Sequence, residues 1–176
     1  MEIYVVRHTH LNIAAGVCYG QTEVPVADSF TEEVANIREQ LPLDLELTFS
    51  SSAERCVKLA SALNFEPVIK VDALKEMNFG LWENKRWDDI NRQDLDAWCN
   101  DFVKVRPPAG ENLCDVYERV SSFLVGLQKE RYGKVLIVTH AGVIRCVNAF
   151  YNAVELKNLF DFNPEFGVVY RFDSTC

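Results

Sequence analysis

The stretch KVLIVTHAGVIRCVNAFYN, residues 134–152, places a strand pattern and a helix pattern end to end. The VLIVT run within it carries no charged residue, which is typical of a strand that is buried on both faces of a parallel sheet. The AGVIRCVNAFYN segment follows at once with apolar residues at helical spacing. A buried strand that leads directly into a helix is the repeating unit of α/β folds.

Strand and helix patterns alternate along the rest of the chain. Strand patterns are EIYVVR (2–7), LELTFS (45–50), GVVYRFD (167–173) and, more weakly, PVIKV (67–71). Helix patterns cover 31–41, 53–63, about 87–104 and 111–131, in addition to 141–152. This alternation predicts a three-layer α/β/α sandwich with a largely parallel central sheet.

Composition limits the class of protein. The chain has 176 residues, 48% of them hydrophobic, which predicts a single domain over 1–176. The net charge of −8 argues against nucleic-acid or anionic-membrane partners, because such surfaces are basic. The sequence contains neither an apolar run of about 20 residues nor a basic segment before its first apolar stretch, so we expect a cytoplasmic protein. A monomer and a homodimer are both compatible with these data.

The six cysteines are scattered and form no C-x-x-C pair. In a chain without an export signal, this pattern indicates reduced and mostly buried thiols. They are Cys18, Cys56, Cys99, Cys114, Cys146 and Cys176.

Polar residues cluster where three predicted strands end. Arg7 and His8 follow the first strand, Arg55 lies shortly after the second, and His140 follows the buried strand. Ligands of open α/β sheets bind beyond the carboxyl ends of the strands, so these four side chains are expected to converge there. Guanidinium forks suit phosphate oxygens, imidazoles can donate or attack, and the helix starts that follow add N–H donors. The pattern predicts a site for a phosphate dianion.

Other chemistries offer alternatives to a phosphate site at these strand ends. Singly, each of these residues can be an ordinary surface or structural residue. His8, His10 and His140 form an alternative three-histidine set for zinc. No cysteine has an arginine six positions later, as a cysteine phosphatase requires, and no P-loop motif is present. DLELT, residues 44–48, is a poor match to an aspartate-nucleophile motif.

Four segments together resemble the motifs of the histidine phosphatase superfamily, also called the phosphoglycerate mutase-like family. They are similar to its R-H-[GT], S-S-x-x-x-R, L-x-E-x-x-F-G-x-W-E and H-x-G-[VP]-[IL]-R motifs, and they occur in the same order. In this chain they read VVRHT (5–9), SSSAERC (50–56), LKEMNFGLWE (74–83) and VTHAGVIR (138–145).

The resemblance implies a mechanism and site residues. His8 would attack phosphorus and form a phosphohistidine, and Glu76 would protonate the leaving group and then activate water. Arg7, Arg55 and His140 would hold the phosphate oxygens, with neither metal nor cofactor. Glu83 is a rival acid, and His10 has no family role. Further candidates for phosphate or substrate binding are Gln21, Thr22 and Ala141.

Finer similarity concerns the substrate. GVCYGQTEVPV (16–26) and PPAGENLCDVYERV (107–120) resemble segments of α-ribazole phosphatases, which remove phosphate from α-ribazole 5′-phosphate in cobalamin synthesis. A loop that contains Gly20, Gln21 and Thr22 could approach phosphate through its backbone, and Tyr19 or Trp82 could stack on the base. The alternative for Trp82 is that it is a core residue. The alternatives are a broad-specificity small-molecule phosphatase, a phosphoglycerate mutase-like enzyme and a non-catalytic phospho-ligand binding protein.

Overall fold

The computed structural model describes residues 1–173, and a five-stranded sheet lies at its centre. The strands are β1 (Glu2–Arg7), β2 (Leu47–Ser51), β3 (Val68–Val71), β4 (Lys134–Thr139) and β5 (Val169–Asp173). Their order is β3-β2-β4-β1-β5. The neighbouring pairs are parallel except for β5, which is antiparallel to β1. The predicted largely parallel sheet is confirmed.

The helices of this range begin and end at residues that the sequence only partly predicts. They are α1 (Phe30–Glu39), α2 (Glu54–Leu63), α3 (Arg92–Asn100), α4 (Leu113–Leu127) and α5 (Ala141–Asn152). Short 3₁₀ helices cover Asp72–Leu74, Gly80–Trp82, Trp87–Asp89 and Leu156–Asp161. No helix in residues 1–173 has both the length and the apolar character needed to cross a membrane.

Two predicted helices are too long. The pattern over 87–104 yields only α3, because the Asn91 side chain accepts hydrogen bonds from the next amides and starts the helix there. The pattern over 111–131 yields only α4, which begins after a capping box formed by Asn112 and Asp115. In both cases an asparagine within or beside the apolar pattern sets the first turn.

The register of the parallel strands brings the predicted polar clusters to one edge. Arg7 of β1 lies opposite Thr139 of β4, and Ser50 of β2 lies opposite Val138. The residues after these strands therefore leave the sheet side by side. This register is the feature of the fold that positions the candidate site.

Successive residues of β4 serve two separate cores. Val135 and Ile137 belong to the apolar cluster that includes α4 and α5, and Leu136 and Val138 belong to the cluster that includes α1 and α2. All four side chains are fully buried. Helices thus cover both faces of the sheet, which confirms the three-layer sandwich and explains the unbroken apolar run.

The cysteines within the described range are free thiols. Cys18, Cys56 and Cys146 are buried, whereas Cys99 and Cys114 are exposed. Cys176 lies outside the described residues.

The packing of α4 leads to a stability prediction. Leu124 is fully buried in the larger core. We expect Leu124→Ala to lower the free energy of unfolding by about 2–5 kcal/mol, because it removes apolar contacts and leaves a cavity. Leu43 is 88% exposed, so Leu43→Ala is the matched control and should change stability by less than about 0.5 kcal/mol. Equilibrium urea unfolding measures the stability of both variants. Equal losses of stability would contradict the placement of Leu124 in the core.

Candidate active site

Two histidines lie beside each other at the carboxyl edge of the sheet. His8 follows β1, His140 follows β4, and their ring centroids are 5.2 Å apart. Both residues are buried, and the His8 amide donates a 2.9 Å hydrogen bond to the Thr139 carbonyl. The pair is therefore fixed by the sheet itself.

The tautomer of His8 follows from its hydrogen bond. Its Nδ1 lies 2.8 Å from the carbonyl oxygen of Thr9, and a carbonyl can only accept. Nδ1 therefore carries the proton, and Nε2 presents a lone pair. Burial, together with the charge of Arg55, lowers the His8 pKa from 6.5 to about 3, so the ring is neutral near pH 7.

His140 is also held in one neutral form. Its Nδ1 accepts a 3.3 Å hydrogen bond from the Arg55 guanidinium, so its Nε2–H donates to the Ser51 hydroxyl at 2.8 Å. Burial lowers the pKa of His140 well below its usual value, and the proximity of the titratable His8 ring and of the Arg55 charge adds to this effect. His140 can thus donate a hydrogen bond without carrying charge.

Two arginines supply the positive charge of the site. Arg55, at the start of α2, is buried and donates to the carbonyls of Gly20 (2.6 Å) and Thr22 (2.8 Å). Arg7, at the end of β1, donates to the Pro164 carbonyl at 3.1 Å. The Nε–H of each arginine is buried and has no hydrogen-bond partner within residues 1–173. Such donors suit an anion that can accept from them.

Glu76 approaches the same edge from the loop between two 3₁₀ helices. Its carboxylate accepts hydrogen bonds from the amides of Met77 (2.9 Å) and Gly142 (3.2 Å), the latter in the first turn of α5. A helix N-terminus attracts negative charge, which favours this position. A Cβ atom built on Gly142 would lie 2.2 Å from a Glu76 oxygen, so the approach requires glycine. Ala141, the first residue of α5, is buried between His140 and Gly142.

The comparison with known proteins agrees with this geometry. The profile of the histidine phosphatase superfamily (branch 1) matches residues 3–175. The chain belongs to this family. The motifs identified in the sequence thus form one site in the structure of a histidine phosphatase.

Several members of known function or structure are similar to this chain over most of its length. The adenosylcobalamin/alpha-ribazole phosphatase of Escherichia coli (strain K12) is 28% identical over 95% of this chain and 87% of its own length. Phosphoserine phosphatase 1 of Hydrogenobacter thermophilus is 28% identical over 72% of this chain and 64% of its own length. The crystal structure of the alpha-ribazole phosphatase from Shigella flexneri superposes with a TM-score of 0.92 and 26% identity, covering 99% of this chain and 91% of that one.

The loop around Gln21 differs from the expectation in its backbone. The amides of Gln21 (2.9 Å) and Thr22 (2.7 Å) donate to the Glu83 carboxylate, as does the Thr22 hydroxyl. These groups therefore serve the loop and do not face a phosphate. The Gln21 side chain donates to the Glu76 carbonyl at 2.9 Å, so this loop also contacts the segment that carries Glu76.

A clamp that sequence reasoning missed holds the Glu76 segment. Arg119 of α4 donates to the carbonyls of Ala73, Lys75 and Glu76 at 2.7, 2.7 and 3.1 Å. It also pairs with both oxygens of Glu111 at 3.0 Å. A signal was present: Arg119 lies three residues after the buried Val116 and directly before the buried Val120, so it flanks the apolar stripe of the helix. A charged residue at such a position needs a partner in the interior.

Three other predicted residues have different surroundings. Trp82 is 3% exposed in a cluster with Cys18 and Ile90, so the idea that it stacks on a substrate base is wrong. Tyr19 is half-buried, with the Arg55 guanidinium 5.6 Å from its ring centroid. His10 is exposed and hydrogen-bonds Glu33. Residues 1–173 contain no group of three metal-ligating side chains, so the alternative three-histidine set does not assemble.

A polar cavity of about 210 Å³ lies beside the site. Arg55, Glu76 and Gln21 are among the residues that line it. A second cavity of about 670 Å³ shares Arg55, Ser52 and Glu23 with the first. The space next to Glu76 and Arg55 is therefore open to a small polar ligand.

The pKa of His8 predicts how stability depends on pH. The unfolded chain binds a proton on His8 below about pH 6.5, whereas the folded protein resists it until about pH 3. Because the unfolded state binds more protons in that window, the free energy of unfolding falls as the pH is lowered from about 6.5 to 3. His140 acts in the same direction.

Urea unfolding of the wild type and of His8→Asn, at pH steps from about 7 to 4, tests this prediction. The variant should show a shallower decline, and Leu43→Ala, which changes no titrating group, should follow the wild type. Identical slopes in wild type and His8→Asn would contradict the neutral, buried state of His8.

Proposed function

We propose that this histidine phosphatase hydrolyses phosphate monoesters through a phosphohistidine on His8. The observation that carries the proposal is the hydrogen bond from His8 Nδ1 to the Thr9 carbonyl, which leaves Nε2 unprotonated. With a pKa of about 3, the ring is a neutral nucleophile across the physiological range. It needs no separate base for the attack on phosphorus.

Arg7, Arg55 and His140 would hold the three non-bridging oxygens. Each arginine has a buried, unpartnered Nε–H within the described chain, and the single N–H of His140, on Nε2, would exchange its hydrogen bond to Ser51 for one to a phosphate oxygen. In a buried site these fixed donors stabilise the charge that spreads over the oxygens in the transition state. The N-terminus of α5, with Ala141 as its first residue, adds a favourable helix dipole.

Glu76 would act as the acid and then as the base. It lines the polar cavity next to Arg55, where the leaving group would lie. As the bond between phosphorus and the ester oxygen breaks, Glu76 gives its proton to that oxygen and the alcohol departs. It then takes a proton from water, whose oxygen attacks phosphorus and breaks the bond to His8 Nε2. The products are inorganic phosphate, neutral His8 and protonated Glu76.

Glu83 is a weaker candidate for this acid–base role. Both of its carboxylate oxygens accept hydrogen bonds, from the Gln21 and Phe79 amides on one and from Thr22 on the other. Glu76 also accepts two amide hydrogen bonds, but it lines the polar cavity, whereas Glu83 is not among the residues that line that cavity. Glu83 instead supports the segment that surrounds Arg55.

For the substrate we favour α-ribazole 5′-phosphate, in the synthesis of cobalamin. The E. coli and S. flexneri proteins named for this activity resemble the chain over almost its whole length. Tyr19, half-buried beside Arg55, is the residue we would assign to stacking on the base. The relative named phosphoserine phosphatase 1 shows that similar chains are named for other small phosphate esters, so a phosphatase with broad specificity for such esters is the alternative.

We propose that residues 1–176 form a single histidine phosphatase domain that acts in the cytoplasm as a monomer or homodimer. Its partner is a small phosphate ester, and the steps above use only side chains and water.

A substrate panel with a His8 variant tests the proposed function. Phosphate release in EDTA is measured with α-ribazole 5′-phosphate, phosphoserine, 3-phosphoglycerate and p-nitrophenyl phosphate. His8→Ala should lower kcat by at least about 10³-fold, because the covalent route is lost. His10→Ala, the matched histidine control, should still form an acid-labile phosphoenzyme.

The outcomes of the panel separate the alternatives. Selective turnover of the ribazole phosphate supports the cobalamin substrate, whereas comparable turnover of all four esters supports broad specificity. An undiminished rate in His8→Ala would refute the phosphohistidine route. Activity that is lost in EDTA and restored by zinc would support the alternative of a zinc-dependent enzyme.

The contact between Gly142 and Glu76 gives a second prediction. Gly142→Ala should fold almost as stably as the wild type, because the added methyl meets only the end of a flexible side chain. It should nevertheless lower kcat by about 10²-fold, since the Glu76 carboxylate must move. Gly126→Ala is the matched control, because a Cβ there meets nothing within 4 Å and activity should be unchanged. Equal kcat in the two variants would contradict the role of Glu76.

A further inference from the structure

Phe166 lies between two side chains of the first motif. The Arg7 guanidinium carbon is 3.7 Å from the centroid of the Phe166 ring, and the His10 ring centroid is 4.0 Å from it. The edge of His8 also approaches Phe166, at 5.7 Å between centroids. Neither the sequence motifs nor the proposed mechanism gives Phe166 or His10 a role.

The position of His10 is fixed by hydrogen bonds to Glu33. Its amide and its Nδ1 both lie 3.1 Å from one oxygen of Glu33 on α1. The other Glu33 oxygen accepts a 2.6 Å hydrogen bond from Ser29. His10 is therefore fixed against the outer face of Phe166 although its side chain is 58% exposed.

Arg7 has few other contacts that define its orientation. One of its terminal nitrogens donates to Pro164, its Nε–H has no partner in residues 1–173, and it forms no salt bridge with a carboxylate of that range. A carboxylate would fix the guanidinium but also neutralise it. An aromatic face fixes the plane and leaves the charge available to an anion.

We propose that Phe166 and His10 are positioning residues that hold the plane of the Arg7 guanidinium for phosphate oxygens. The inference rests on the proposed role of Arg7 as a phosphate ligand. Phe166 comes from the segment that leads into β5, so a loop outside the parallel strands contributes to the site. His10, held by Glu33, keeps the ring pressed towards Arg7.

Inhibition by orthovanadate and by inorganic phosphate tests the proposal, with p-nitrophenyl phosphate as substrate. Phe166→Leu keeps an apolar side chain but removes the ring face, so it should raise both inhibition constants and KM by about 3- to 30-fold. Phe166→Tyr keeps the ring and should stay close to wild type. Phosphohistidine should still form in both variants.

His10 variants provide a second test that does not depend on a buried substitution. His10→Ala should raise the same constants by a smaller factor, about 2- to 5-fold, because Phe166 loses its outer support. His10→Phe keeps a stacking ring and should recover part of the loss. Thermal unfolding of each variant separates this effect from a loss of stability.

A double-mutant cycle distinguishes positioning from general packing. In an Arg7→Ala background, Phe166→Leu should cause no further change in the inhibition constants, because its effect passes through Arg7. Phe65→Leu is the matched control, since it removes a ring beside Arg38, 5.5 Å away, at the opposite edge of the sheet. The inhibition constants of Phe65→Leu should equal those of the wild type.

Unchanged constants in Phe166→Leu and His10→Ala, with a large change in Arg7→Ala, would overturn this inference and leave the proposed function intact. Additive losses in the double variant would also overturn it. Unchanged constants in Arg7→Ala itself would remove the phosphate-binding role of Arg7, and the inference would fail with it.

Discussion

The parallel register of β1 and β4 is the constraint on which the rest of the site depends. Arg7 and Thr139 lie opposite each other at the ends of these strands, and a histidine follows each of them. The rings of His8 and His140 must therefore lie at the same edge of the sheet. Pairing of β2 on the other side of β4 then brings Ser51 to His140 and starts α2 where Arg55 reaches the same point. A shift of one residue would turn the following side chains to opposite faces, so the buried apolar strands fix the geometry of the polar site.

The second feature is how the site carries positive charge in an acidic protein. The terminal nitrogens of the two arginines donate to backbone carbonyls of Gly20, Thr22 and Pro164, and within residues 1–173 neither arginine pairs with a carboxylate. Carbonyls offset part of the cost of burying a guanidinium without cancelling its charge. Both histidines are held neutral by burial, so they add hydrogen-bonding capacity without mutual repulsion. A net charge of −8 is therefore compatible with a pocket that attracts a dianion.

Acidic residues support the site from outside it. Glu83 binds the loop that caps Arg55, and Glu111 pairs with Arg119, which in turn holds the backbone of the Glu76 segment. Glu33 fixes His10 against Phe166. Each of these carboxylates binds amides or a cation outside the candidate site. Acidic side chains therefore help to hold the basic side chains of the site in place. Fixed surroundings of this kind hold reacting groups within the small tolerance that catalysis needs.

The sequence by itself predicted the α/β class, the order of strands and helices, and the candidate groups Arg7, His8, Arg55 and His140, whereas Glu76 was indicated only by the resemblance to the histidine phosphatase motifs. It could do so because burial leaves a periodic apolar pattern, and because parallel strands present their next residues at one edge. Local signals also misled: the helix patterns over 87–104 and 111–131 began before the asparagines that cap α3 and α4 and extended beyond the last residues of both helices. Only the tertiary structure decided that Trp82 is core, that the amides of Gln21 and Thr22 bind Glu83, and that Phe166 stacks on Arg7. These contacts join residues far apart in the chain and depend on side-chain direction, which no local periodicity encodes.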